Sequence, residues 1–179
     1  LQADGPCNLP PFQNDWGNYN FRIFTGNIAA GGTNTSAGEN PRTLRIKSDS
    51  AGNRYCAFIR STRDTLYVFK STNNGSSWTS LQRFTADGLF FHSFDFYTAD
   101  SANVTKLGFA ASLTTGVSAT DGQLFMGFMN SDGTNPRTVQ VTSTPVGRGL
   151  INPAIMTDAS QYPSSTTAWY ITYSDYSSS

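Results

Sequence analysis

The chain has 179 residues, of which 13% are charged, with a formal net charge of zero, one histidine and two cysteines. Balanced charge gives no electrostatic case for nucleic acid or an anionic membrane surface as partner, and no apolar run approaches the roughly 20 residues of a membrane-spanning helix. Serine and threonine together number 43 and glutamate occurs once, at Glu39, a composition that fits a secreted or cell-surface β-domain with length enough for a sizeable core.

Residues 1–41 are the least regular part, broken by Pro6, Pro10 and Pro11. Within them Phe21-Arg22-Ile23-Phe24 reads as a short strand, and Gly31 to Asn40 as a loop. From residue 42 onward the pattern is all-β. Strands are expected near 42–48, 54–61, 64–70 and 78–84, then near 92–98, 105–112, 123–129 and 137–142, and a further pair near 152–157 and 167–174. No window holds an apolar i, i+3, i+4, i+7 pattern over three turns. Glycine, asparagine, serine and threonine interrupt the chain every few residues, as in proteins made of many short strands.

The strands recur. Ile46 to Ser50, Phe96 to Asp100 and Ile155 to Ala159 each join an apolar strand end to a hydroxyl residue and a turn containing aspartate, at spacings of 50 and 59 residues. A shift of 58 residues lays Leu66-Tyr67-Val68-Phe69 on Leu124-Phe125-Met126-Gly127 and Gly75 on Gly133. These spacings suit one four-stranded unit with variable loops, and divide the chain into units at 42–85 and 90–143 with a partial one at 151–179.

The third strand of the first unit leads into Ser71-Thr72-Asn73-Asn74-Gly75-Ser76-Ser77-Trp78. Gly75 can take the positive φ of a tight turn, Asn73 and Asn74 tolerate the left-handed region, and Trp78 can fold its ring over the turn. The plain alternative is a hairpin with an exposed tryptophan. The segment resembles the Asp-box (BNR) repeat of sialidase-like β-propellers, S-x-D-x-G-x-x-W, with Asn73 in the aspartate position. The copy at Met129 to Pro136 keeps only Ser131 and the glycine. The resemblance implies antiparallel four-stranded blades, with the box as a folding device at the outer corner of each. Propellers have four to eight blades, so two full blades and part of a third imply a segment of a longer protein, or a subunit that completes a ring with others. Closure of this chain alone as four blades or a sandwich is the alternative.

Cys7 and Cys56 read as a disulfide tying the N-terminal segment to the second strand, worth roughly 3–4 kcal/mol for such a loop, or else as two free thiols. Asn34, Asn74 and Asn103 lie in glycosylation sequons, about as many as chance provides. His92 reads as a packed or hydrogen-bonded strand residue. Asp49, Asp100, Asp121, Asp132 and Asp158 fall in turns. No cofactor is implied, and no EF-hand spacing supports calcium, although a structural calcium ion at one such turn stays open. The stretch around Arg22 is similar to the Arg-Ile-Pro motif near the start of sialidases, with Phe24 in place of the proline. That likeness gives Arg22 a carboxylate-binding role, against the plain reading of a strand-edge arginine. Trp16, Tyr19 and Tyr176 are candidates for a sugar-binding surface. Two functions follow: a non-catalytic binding or assembly module for carbohydrate or protein, completed by other blades or subunits, or part of a sialidase-like glycoside hydrolase. The second needs a tyrosine–glutamate pair and an arginine triad, and no position here matches them.

Overall fold

The computed structural model describes residues 44–101, 104–116, 121–143, 148–157 and 168–177. Ten strands follow in order: β1 (Leu44–Ser48), β2 (Arg54–Ile59), β3 (Thr65–Ser71), β4 (Thr79–Thr85), β5 (Phe90–Ser101), β6 (Val104–Thr114), β7 (Gln123–Asn130), β8 (Arg137–Gln140), β9 (Arg148–Thr157) and β10 (Trp169–Ser177). They form two antiparallel four-stranded meanders, β1-β2-β3-β4 and β5-β6-β7-β8, and an antiparallel pair, β9 with β10. The protein is thus all-β among its described residues, and each sheet is open at its edges.

Short-range chemistry sets the turns. Between β1 and β2 the Asp49 carboxylate accepts bonds from the Asn53 amide (2.8 Å), the Asn53 side chain (2.7 Å) and the Tyr55 hydroxyl (2.8 Å), while Gly52 takes φ 81°. Those bonds outweigh the effect of burial, which alone raises a carboxyl pKa, and hold Asp49 below its ordinary range. Asp121 accepts from the Thr115 amide, and Asp132 from the Thr134 amide and hydroxyl. All three are turn-forming aspartates, as expected.

The main core lies between the two meanders. Tyr55, Ala57 and Ile59 of β2 and Leu66 and Val68 of β3 meet Phe94 and Phe96 of β5 and Phe109 of β6. The Phe84 and Phe109 rings pack edge to face, with centroids 4.7 Å apart. Gly127 makes room for this: a Cβ there would lie 2.1 Å from the Phe109 ring. β2 is buried on both faces, for Cys56 and Phe58 join Phe69 in a second cluster on the opposite side, flanked by Tyr67 and Trp78. The β9–β10 pair packs on the other face of the second meander. Trp169 lies where a side chain at Gly108 would be, and the Ser112 hydroxyl donates to the Leu150 carbonyl at 2.6 Å.

Among the described residues no disulfide pair is found, and Cys56 carries a free, buried thiol whose pKa burial pushes up to about 11. Its expected partner Cys7 lies outside the described residues.

Candidate functional site

Ser71, Asn73, Gly75 and Trp78 come together in the β3–β4 turn. Ser71, only 1% exposed, accepts from the Gly75 amide at 2.8 Å and donates to Asn73 Oδ1 at 3.0 Å. Asn73 Oδ1 also accepts from the Ser77 amide at 2.9 Å, and Asn73 Nδ2 donates to the Ser77 hydroxyl at 2.9 Å. Gly75 takes φ 91° and Asn74 φ 58°. Trp78 Nε1 donates to the Gly75 carbonyl at 3.0 Å while its ring packs on the Phe58 cluster. Trp78 is therefore a partly buried cover over the turn, unlike the exposed tryptophan of a plain hairpin. The sequon residue Asn74 is exposed, and its carbonyl accepts from Arg54 at 3.0 Å. These bonds tie Ser71, Asn73, Gly75, Ser77 and Trp78 into one hydrogen-bonded turn.

The polar chemistry without such closure lies elsewhere, along β1, β5 and β9. These first strands of the three sheets run against one another, β1 beside β5 and β5 beside β9. Asp95 of β5 joins all three. Its Oδ1 accepts from Arg45 Nε at 2.8 Å and its Oδ2 from the Ile155 amide at 3.2 Å. The Ser48 carbonyl accepts from the Thr98 hydroxyl at 3.1 Å, and Ser93 Oγ accepts from the Asn152 amide at 3.2 Å. At most 21% of either side chain of the Arg45–Asp95 pair is exposed, so the pair is screened less than one on an open surface.

At one end of β5 the pairing with β6 slips between Phe91 and Ser93, leaving His92 in a β-bulge. Arg63, from the β2–β3 turn, donates to the carbonyls of Phe91 (3.2 Å) and His92 (2.9 Å). Burial first, and the nearby Arg63 guanidinium second, hold His92 below its ordinary pKa, which makes it a neutral imidazole at pH 7. His92 Nδ1 and Asn152 Oδ1 are buried and have no hydrogen-bond partner among the described residues. Asn152 also sits at φ 51°, a backbone strain that asparagine tolerates. A buried polar atom left unpaired costs about 1–3 kcal/mol, so these two atoms are the least satisfied polar groups at this end of the strands.

Several sequence candidates, Arg22, Trp16, Tyr19, Asn34 and Asn103, lie outside the described residues, as does the Tyr176 side chain. Sequence reasoning missed Arg45, Asp95 and Asn152. One signal was available: Arg45 and Asp95 are 50 residues apart, the same interval that separates the first two strand repeats. Among the described residues no three His, Cys, Asp or Glu side chains gather to hold a metal ion. Compared with known proteins, the chain matches no protein-family model and no curated protein sequence.

Proposed function

We propose that this chain is part of a β-propeller of the Asp-box, sialidase-like kind, acting as a secreted or cell-surface binding and assembly module for carbohydrate or protein. One observation carries the reading. Positions one repeat apart on the first strands touch directly: Arg45 with Asp95 and Ser48 with Thr98 at 50 residues, Ser93 with Asn152 at 59. Side-by-side first strands are what radial repetition of four-stranded units produces. The satisfied β3–β4 turn supports the same reading. Ring completion falls to further blades or to other subunits, which cover the open sheet edges. The binding end assigned here is the His92–Asn152 end of those strands, where two neutral polar atoms have no hydrogen-bond partner among the described residues.

Two measurements test this. Denaturing mass spectrometry of the native material, with light scattering, is expected to show either a covalent mass above the 19.4 kDa of this chain or a stable oligomer. A monomer of this chain alone would overturn the assembly role. Saturation-transfer NMR with neutral and sialylated oligosaccharides is expected to show binding that His92→Ala and Asn152→Ala weaken. Hydrolysis of a fluorogenic sialoside, abolished by Arg22→Ala, would instead establish the hydrolase alternative.

A further inference from the structure

A second, separate site lies between the outer strands of the two meanders. β4 ends its sheet on one side and β8 ends the other. Between them is a cavity of about 160 Å³ walled by the rings of Phe84, Phe91, Phe109 and Phe125. It opens to solvent past the exposed residues Thr85, Asp87 and Thr138. There it meets a polar cleft of about 250 Å³ that includes Gln82, Arg83 and Arg137. An apolar cavity of about 150 Å³ is enough to take a benzene ring, so this one accepts a single phenylalanine or leucine side chain.

The rim sets the charge of what enters. Arg83 and Arg137 are both exposed, and neither has a carboxylate partner among the described residues. Asp87 is the one acidic side chain lining the opening, and it accepts a bond from the Thr85 hydroxyl at 3.2 Å. Two guanidiniums against one engaged carboxylate favour an acidic ligand. The walls set its shape. β8 is four residues long, fully exposed, and bonded only to β7. β4 is bonded only to β3. Among the described residues each thus has one edge without a strand partner, although the Arg83 amide already donates to Gln82 Oε1 at 2.9 Å, and an extended peptide can use the backbone groups left along these edges. A small amphiphile would use the cavity and the arginines but leave those backbone groups unmatched.

We propose that this cleft binds an extended acidic peptide segment of a partner protein, anchored by one apolar side chain in the phenylalanine-walled cavity. The inference rests on the binding-module reading for its purpose only. Phe91 of the cavity wall adjoins His92, but the positions changed in the test, Arg83, Arg137 and Thr138, lie away from His92 and Asn152, so the two tests fail separately.

The probe is the N-acetylated, C-amidated peptide Glu-Asp-Phe-Asp-Glu, titrated into the ¹⁵N-labelled full chain. Saturable shifts are expected for the amides of Phe84 to Leu89 and Arg137 to Gln140. Replacing the probe's phenylalanine by alanine, or its acids by lysines, is expected to weaken binding at least tenfold. Arg83→Glu with Arg137→Glu should do the same, as should Thr138→Trp, which covers the mouth from an exposed strand. Because all three positions are exposed, unchanged amide dispersion will show that the variants fold. No saturable shift at millimolar peptide would overturn the proposal. So would binding indifferent to charge, which would leave only an apolar cavity, or shifts confined to another surface.

Discussion

Replacing Ser71 by alanine tests the β3–β4 turn most directly. The hydroxyl is buried, accepts strongly from the Gly75 amide (2.8 Å) and weakly from that of Asn73 (3.4 Å), and donates to Asn73 Oδ1 (3.0 Å). A net hydrogen bond contributes about 0.5–1.5 kcal/mol, and a donor stranded out of water costs about 1–3 kcal/mol. The short Gly75 contact dominates, and water reaches part of the turn, so Ser71→Ala is expected to destabilise by about 2 kcal/mol. With a urea slope of roughly 2 kcal/mol/M, the unfolding midpoint falls by about 1 M. Asn73→Asp makes the opposite case. Its carboxylate keeps the bond from the Ser77 amide and strengthens it by charge, while the Ser77 hydroxyl can rotate to donate, so stability stays within about 0.5 kcal/mol of the parent or rises. Ser71→Ala and Asn73→Ala together should cost less than their sum, since they share a bond. The measurement is urea unfolding followed by circular dichroism, on all four variants at one pH. A Ser71→Ala loss below about 0.5 kcal/mol at unchanged slope, or strict additivity of the pair, would refute the argument that these bonds hold the turn.

Three further outcomes are expected. Gly127→Ala pushes a methyl into the Phe109 ring and disturbs its edge contact with Phe84; overpacking of this kind costs about 1–3 kcal/mol, read as a lower thermal midpoint, and no loss would mean the ring moves freely aside. His92 has a folded pKa below the 6.5 of the unfolded chain, so the unfolded state takes the proton first on acidification. Its contribution is complete above pH 6.5, declines as pH falls through 6.5 toward the folded value, and is constant below that; His92→Gln should flatten the decline in urea midpoint below pH 6.5, and a parallel curve would refute the assignment. Cys56 should react slowly with Ellman's reagent in the native state, because burial disfavours its thiolate, and quickly in guanidinium without reductant. Silence in guanidinium would restore the Cys7–Cys56 bridge.

Most of the strand plan was legible in the sequence. The expected strands near 54–61, 64–70 and 78–84 are found at Arg54–Ile59, Thr65–Ser71 and Thr79–Thr85. β5 is longer than expected, Phe90–Ser101 against 92–98: the bulge at His92 lets pairing with β6 resume at Phe91 and Phe90, and at the other end pairing runs on through Asp100, expected in a turn, to Ser101. The turn at Ser71–Trp78 was legible for a local reason: every bond that closes it spans four residues or fewer. Local chemistry of that range is written directly into residue order.

What tertiary structure alone decided lies between sheets. Cys56 and Phe58 alternate with Tyr55 and Ala57, yet all four are buried, because each face of β2 meets a different cluster. Phe94 and Phe96 of β5 are fully buried, whereas Tyr173 of β10 is 48% exposed. Arg45 and Asp95 read singly as polar strand residues, and they become a pair only when two first strands lie side by side. The phenylalanine-walled cavity exists only because two separately formed sheets diverge at their outer strands. Residue order alone sets the strands and their turns, since these depend on neighbours a few residues away. The stacking of the sheets determined the polar seam, the unpaired His92 and Asn152 atoms and the cleft, since those depend on partners brought from other sheets or distant turns, for which no local periodicity exists.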